Sequence, residues 1–146
     1  MSRERRFQRR KTRYGLSLVN YDGRWVPIDT RLPGVLLAEF IERRDFPECM
    51  EYVFTKRGGT YRFSRIDLLL GEGRDRWLVE TKSITLVNGE MALLADAPTI
   101  RGTKHVLDLT EAIAEGYEVW IIFICQREDA RFLSPRESAD PHFAEA

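Results

Sequence analysis

Apolar residues recur along this chain with two periods. From Tyr14 to Val19 they alternate with small or polar residues, and Tyr21-Asp22-Gly23-Arg24 turns into Trp25-Val26-Pro27-Ile28, so a first β-hairpin is expected. Leu36, Leu37, Phe40 and Ile41 then repeat at helical spacing. With Pro33 near its start and Thr30 as a cap, this stripe predicts a helix running to about Arg44, stopped by Asp45-Phe46-Pro47. Glu39 lies off the stripe, either in water or pointing sideways toward the edge of a sheet. Met50 to Lys56 reads as a strand, with Arg57-Gly58-Gly59-Thr60 as a turn into Tyr61.

Two strand-like runs follow, on either side of a short Gly-rich stretch between Ser64 and Lys82. Ile66, Leu68, Leu70, Trp77 and Val79 are expected on one face and Leu69 and Leu78 on the other, which predicts a sheet covered on both sides. Between Ser83 and Leu94, Asn88-Gly89 marks a small hairpin. A helix is expected from about Arg101 to Glu115, with Val106, Leu109 and Ile113 inward and Arg101, Lys104, His105 and Asp108 on a polar stripe. Gly116 ends it, and Tyr117 to Cys125 reads as a central strand. Arg131 to Pro135 forms an edge segment, and Asp140-Pro141 opens a short last helix. A hairpin, a helix, three strands, a helix and a strand make an α/β fold with a mixed sheet.

The pattern also places charge. A turn centred on Gly73-Arg74 sets Asp67 opposite Glu80 and Arg65 opposite Lys82, with Asp67, Glu80 and Lys82 sharing one surface. Two like charges ~4 Å apart repel by roughly 4 kcal/mol at an effective dielectric near 20. Lys82 offsets part of this, and a divalent, oxygen-seeking cation such as Mg²⁺ (or Mn²⁺) would offset the rest. An acid on one strand, Glu-x-Lys on the next and Glu39 on a preceding helix meet the needs of metal-assisted phosphodiester hydrolysis. Asp67 and Glu80 would hold the cation, Glu39 would complete its shell, and Lys82 would position or deprotonate water. The same triplet is also compatible with a structural ion pair on a sheet surface.

Composition narrows the picture. The 146 residues carry 23 Lys and Arg against 23 Asp and Glu, which suits one domain and says nothing about partners. The distribution says more: Arg3, Arg5, Arg6, Arg9, Arg10, Lys11 and Arg13 face a single Glu4, so residues 1–14 form a basic arm and 15–146 the domain. Cys49 and Cys125, with no metal-type Cys/His spacing, point to a reduced, cytoplasmic protein. Val119 to Cys125, the longest apolar stretch, is too short to span a bilayer, so no membrane partner is expected.

Several motifs together resemble one family. Ser64-Arg65-Ile66-Asp67, Val79-Glu80-Thr81-Lys82-Ser83, Asp96-Ala97 and Thr99-Ile100-Arg101-Gly102-Thr103-Lys104-His105 are similar in order and spacing to the sugar fermentation stimulation protein (SfsA) family. So are Leu32-Pro33 with Glu39, Gly116, Gln126 and Asp140. The resemblance runs from about Arg13 to Phe143 and implies a restriction-endonuclease-like α-β-β-β-α-β core of the PD-(D/E)xK type. It implies Asp67, Glu80 and Lys82 as metal and catalytic positions, and Glu39 as the first-helix acid. Arg101, Lys104 and His105, with Arg65 and Gln126, are the implied nucleic-acid contacts.

The chain departs from the family at Asp29 and Gly34, where Asn is usual, and at Leu94-Ala95, where Phe-Pro is usual. The family's N-terminal OB-like barrel and its last strand are missing, so the basic arm is expected to share in gripping phosphate and a sheet edge to stand open for a partner subunit, as in a homodimer. The resulting expectation is a Mg²⁺-dependent nuclease acting on DNA, or alternatively RNA, with little sequence preference. The competing reading is a non-catalytic DNA-binding regulator of sugar metabolism.

Overall fold

A computed structural model of the chain describes residues 14–45, 47, 54–71, 76–94 and 98–146. The basic arm through Arg13, Cys49, the expected turn at Gly73-Arg74 and Asp96 lie outside the described residues.

The first hairpin forms as patterned. Strands β1 (Leu18–Tyr21) and β2 (Arg24–Pro27) are joined by Asp22 (φ +51°) and Gly23 (φ +80°), both in the left-handed region that a two-residue type I′ connection requires. Helix α1 (Leu32–Glu42) follows, with Pro33 in its first turn. Its N-cap is Arg31 with no side-chain capping bond, so Thr30 does not serve; Asp29 instead grips Arg31, accepting from its backbone N–H at 3.1 Å. Arg44 at φ +60° ends the helix. Its buried stripe is Pro33, Leu37, Ala38 and Ile41, while Phe40, expected inside, is half exposed.

Strand β3 (Phe54–Tyr61) runs through Arg57–Thr60, where a turn was expected. The two glycines serve proximity. Gly58 takes φ +69°, and a Cβ on Gly59 would stand 2.6 Å from Leu69 Cδ1, so Leu69 packs directly across the bare backbone. The turn is Arg62-Phe63, beginning two residues beyond Thr60, with Arg62 at φ +49°. Strands β4 (Ser64–Leu70) and β5 (Trp77–Ile84) pair antiparallel as Leu68↔Val79, Leu69↔Leu78 and Leu70↔Trp77, the expected register, but the ladder ends before the expected pairs Asp67–Glu80 and Arg65–Lys82.

A second sheet begins with β6 (Val87–Asn88) and β7 (Met91–Leu94), joined through Gly89 at φ +62°. Helix α2 (Ile100–Ala114) is capped by Thr99, whose side chain accepts from Gly102 N–H, and Gly116 at φ +90° follows its end. Strand β8 (Glu118–Cys125) pairs parallel with β5 along its whole length. Among the described residues the main sheet runs β3-β4-β5-β8, so β8, expected in the centre, is an edge. Strand β9 (Phe132–Pro135) completes the second sheet, β6-β7-β9, and α3 (Pro141–Glu145) is capped by Asp140.

The main sheet is covered on both faces. Leu37, Ala38 and Ile41 of α1 pack on Leu68, Leu70 and Val79, with Trp77 and Trp120 edge-to-face at 5.1 Å. Leu109 and Ala112 of α2 pack on Tyr61, Ile66 and Leu78 on the other. Ile66 thus lies on the α2 side, opposite to the expectation that grouped it with Leu68. The inward face of α2 is Gly102, His105, Leu109 and Ala112; Ile113 is exposed and His105, expected on the polar stripe, is buried. The result is a mixed α/β sandwich consistent with a restriction-endonuclease-like core. No helix among the described residues is long and apolar enough to cross a membrane.

Candidate active site

Beyond Leu68↔Val79 the ladder between β4 and β5 stops, while β5 continues along β8 through Ile84. A cleft of about 660 Å³ lies over this part of β5, lined by Asp67 of β4, Glu80 and Lys82 of β5, Leu93 and Leu94 of β7, and Thr99, Arg101 and His105 at the start of α2, among others. The strand pairing carries the acids to the mouth of this cleft and the apolar pairs before it anchor them.

Glu80 is the buried centre, only 5 % exposed. Its Oε1 accepts from Lys82 Nζ at 2.6 Å and meets His105 Nδ1 at 3.0 Å. Its Oε2 is buried and has no hydrogen-bond partner among the described residues. An unpaired carboxylate oxygen shut from water is costly. Asp67 solves the like-charge problem differently: its Oδ2 accepts from Thr81 N–H at 3.0 Å and from Thr81 Oγ1 at 2.6 Å. Asp67 therefore turns toward Thr81 and α1, where a Cβ on Gly34 would stand 3.3 Å from Thr81 Oγ1 and 3.9 Å from Asp67. The three residues border one cleft, but the single shared surface expected of them is corrected: Glu80 and Lys82 face each other, and Asp67 faces Thr81.

The remaining expected site residues divide. Arg101 is exposed at the first turn of α2 and lines the cleft, as does His105. Lys104 does not line it; its Nζ is held by Asp108 and by Ser64 Oγ, and that pairing with Lys104 first, then Ser64, keeps the Asp108 carboxyl below the usual range. Arg65 is exposed on β4, with its guanidinium over Gly58. Gln126 lines a separate hollow of about 330 Å³ beside the first hairpin, with Arg24 and Trp25, and its Nε2 is buried without a partner among the described residues. Glu39 pairs with Arg43 at 2.5 Å and does not line the cleft.

The donor set fits a hard divalent cation. Among the described residues no three His, Cys, Asp or Glu side chains converge as a ready cage. Mg²⁺ keeps several waters and is commonly held by one or two carboxylates, which Glu80 with its spare oxygen and Asp67 can supply. Sequence reading missed Thr81, because a residue between two inward charged residues on a strand, here Glu80 and Lys82, is assigned to the opposite face. It also missed the inward turn of His105, although the spacing Gly102, His105, Leu109, Ala112 carries that signal.

A family profile described as "Sugar fermentation stimulation protein RE domain" matches residues 31–146. The sugar fermentation stimulation protein homolog of Natranaerobius thermophilus is 39% identical over 143 residues, covering 95% of this chain and 60% of that protein. Its counterpart in Alkaliphilus metalliredigens is 42% identical over 139 residues, with 94% and 60% covered. The solved structure of Pyrococcus furiosus SfsA in complex with Ca²⁺ is similar at a TM-score of 0.83 and 34% identity, over 92% of this chain and 58% of that one. The chain spans about three fifths of the length of these relatives.

Proposed function

The chain belongs to the sugar fermentation stimulation protein family, and from that premise we propose that it is a divalent-cation-dependent nuclease hydrolysing phosphodiester bonds of DNA, with RNA the alternative, and with little sequence preference. The observation that carries this reading is Glu80: a buried carboxylate with one oxygen held by Lys82 and His105 and the other unpartnered, beside Asp67 in an open cleft. The Ca²⁺ of the Pyrococcus furiosus protein lends support to a divalent cation in this family.

Glu80 and Asp67 would hold Mg²⁺ or Mn²⁺. Such a cation, when bound, polarises a phosphoryl oxygen and makes bound water more acidic. Lys82 brings a positive charge to the same spot and offsets negative charge developing on the phosphate. Arg101 offers an exposed guanidinium at the first turn of α2, where the helix dipole also favours negative charge. A lack of any base-reading helix or zinc module in the sequence accords with weak sequence preference. The single domain over 15–146, the arm as phosphate grip, a partner strand on the β8 edge and a cytoplasmic location belong to the same reading.

A non-catalytic DNA-binding regulator is favoured by one observation: Asp67 and Glu80 already have internal partners in Thr81, Lys82 and His105. The two readings separate in a cleavage assay on supercoiled plasmid, single-stranded DNA and RNA, with Mg²⁺ or Mn²⁺ and with chelator. Cation-dependent nicking lost in Lys82→Ala and Glu80→Gln is expected. Salt-sensitive binding by wild type without any nicking supports the regulator instead.

A further inference from the structure

We infer that His105 is a positioning residue for Glu80 and not a contact to phosphate, an inference that rests on reading Glu80 as a cation ligand. The motif spacing suggests a row of phosphate-facing groups on α2, but the structure sorts that row. Arg101 is exposed, Lys104 is tied to Asp108, and His105 is turned inward at 8% exposure beside Gly102 and Leu109. A group binding the backbone of a nucleic acid must reach solvent. His105 instead spends its Nδ1 on Glu80 Oε1 at 3.0 Å. A carboxylate oxygen only accepts, so the hydrogen sits on Nδ1.

The choice of oxygen matters. Lys82 Nζ binds the same Oε1 at 2.6 Å, and Oε2 is left without a partner. Two donors on one oxygen fix which oxygen stays available and how the carboxylate is turned. Lys82 rides a long flexible stem and is 22% exposed, whereas the ring of His105 is rigid, 9% exposed, and delivered from a different element. The imidazole therefore carries the geometric constraint, and Lys82 remains free to move toward substrate. Donors behind a ligand carboxylate orient it in the way second partners orient other metal ligands.

The test titrates the protein with Mn²⁺ alone by calorimetry, with nucleic-acid binding in chelator measured alongside. His105→Leu is expected to weaken Mn²⁺ about ten- to a hundredfold, and His105→Asn, whose Nδ2 occupies the place of Nδ1, to stay within about threefold of wild type. His105→Gln sets its donor one bond too far and is expected to stay weak. Nucleic-acid binding in chelator is expected to be unchanged in all three. Wild-type Mn²⁺ affinity in His105→Leu, equal affinity in the Asn and Gln variants, or a loss confined to nucleic-acid binding overturns the assignment. If His105→Leu does not fold, the comparison of the Asn and Gln variants decides. Wild type that binds no Mn²⁺ brings down the reading of Glu80 itself, a failure distinct from the others.

Discussion

Thr81 holds Asp67 through two hydrogen bonds to a single oxygen, Oδ2, from its backbone N–H at 3.0 Å and its hydroxyl at 2.6 Å. An N–H on this side of β5 would ordinarily go to the backbone of β4. The ladder has ended at Leu68↔Val79, so the Asp67 carboxylate takes the place of a strand neighbour and ties the parted strands across the opening. The acid that lines the cleft is thus also the acid that joins β4 to β5 where their ladder has ended.

Replacing Thr81 by Val keeps shape and removes one of these donors. A hydrogen bond to a charged group contributes roughly 1.5–3 kcal/mol, and a half-buried position sits at the lower end of that range. The expected result is a folded Thr81→Val protein with a lower urea midpoint, an unchanged m-value and weaker Mn²⁺ binding, because Asp67 can swing. Unaltered stability and unaltered Mn²⁺ affinity together would show that the backbone N–H alone suffices.

Arg101 and Lys104 look equivalent in sequence, one turn apart on α2, and the structure separates them. Arg101 is exposed at the cleft, while Lys104 is engaged by Asp108 and Ser64. Arg101→Ala is therefore expected to weaken nucleic-acid binding uniformly across sequences and to reduce the slope of log K against log salt by about 1, the loss of one phosphate contact. Lys104→Ala is expected to leave the slope near that of wild type. Equal losses from both, read by fluorescence anisotropy over a salt series, would mean that Lys104 leaves Asp108 when nucleic acid binds.

The register of β4 and β5 was legible because the expected turn leaves no freedom: with its centre placed, Leu68 must meet Val79. The helices themselves were legible from their apolar periodicity and, for α3, from Asp140-Pro141, but the cap of α1 was not: Thr30 gives way to Arg31, and Thr99 caps α2. What escaped was everything set by how elements approach one another. Arg57-Gly58-Gly59-Thr60 has turn composition, yet Gly59 admits Leu69 and Gly58 takes a left-handed φ within the strand. The apolar run of β8 is written the same way whether the strand is central or at an edge, because both faces are covered either way. The partners of Asp67 depend on where two strands part, and no local pattern encodes that.

Gly59 gives a sharp test of packing. A Cβ there would lie 2.6 Å from Leu69 Cδ1 and 2.7 Å from its Cγ, closer than side chains approach one another, and the branch point cannot swing aside without leaving the core beside α2. Gly59→Ala is expected to cost about 1–3 kcal/mol by overpacking. Leu69→Ala opens a cavity and destabilises alone, but Gly59→Ala in that background should cost little. Denaturant unfolding of the four proteins of this cycle gives the coupling, and additive losses would show that the two residues do not meet.

Asp140 fastens α3 to the start of α2, accepting from Thr99 N–H at 2.6 Å and from Phe143 N–H at 3.0 Å. These two donors, Thr99 first, hold its carboxyl below the usual carboxylate value in the folded protein. In the unfolded chain an Asp titrates near ~3.9. Between the two values the unfolded state binds more protons, so stability rises with pH there; the contribution is fully present above the unfolded value and is lost as pH falls through the folded one. Asp140→Asn keeps an acceptor oxygen and cannot titrate. The gap in melting temperature between wild type and Asp140→Asn is therefore expected to shrink below about pH 4. Asp108, Asp129 and Glu115, whose carboxyls are also held low, are common to both proteins and cancel in the difference. A gap that persists unchanged to pH 2.5 would mean that the two backbone bonds do not depend on the charge of Asp140, and that shape alone joins α3 to the helix carrying Arg101 and His105.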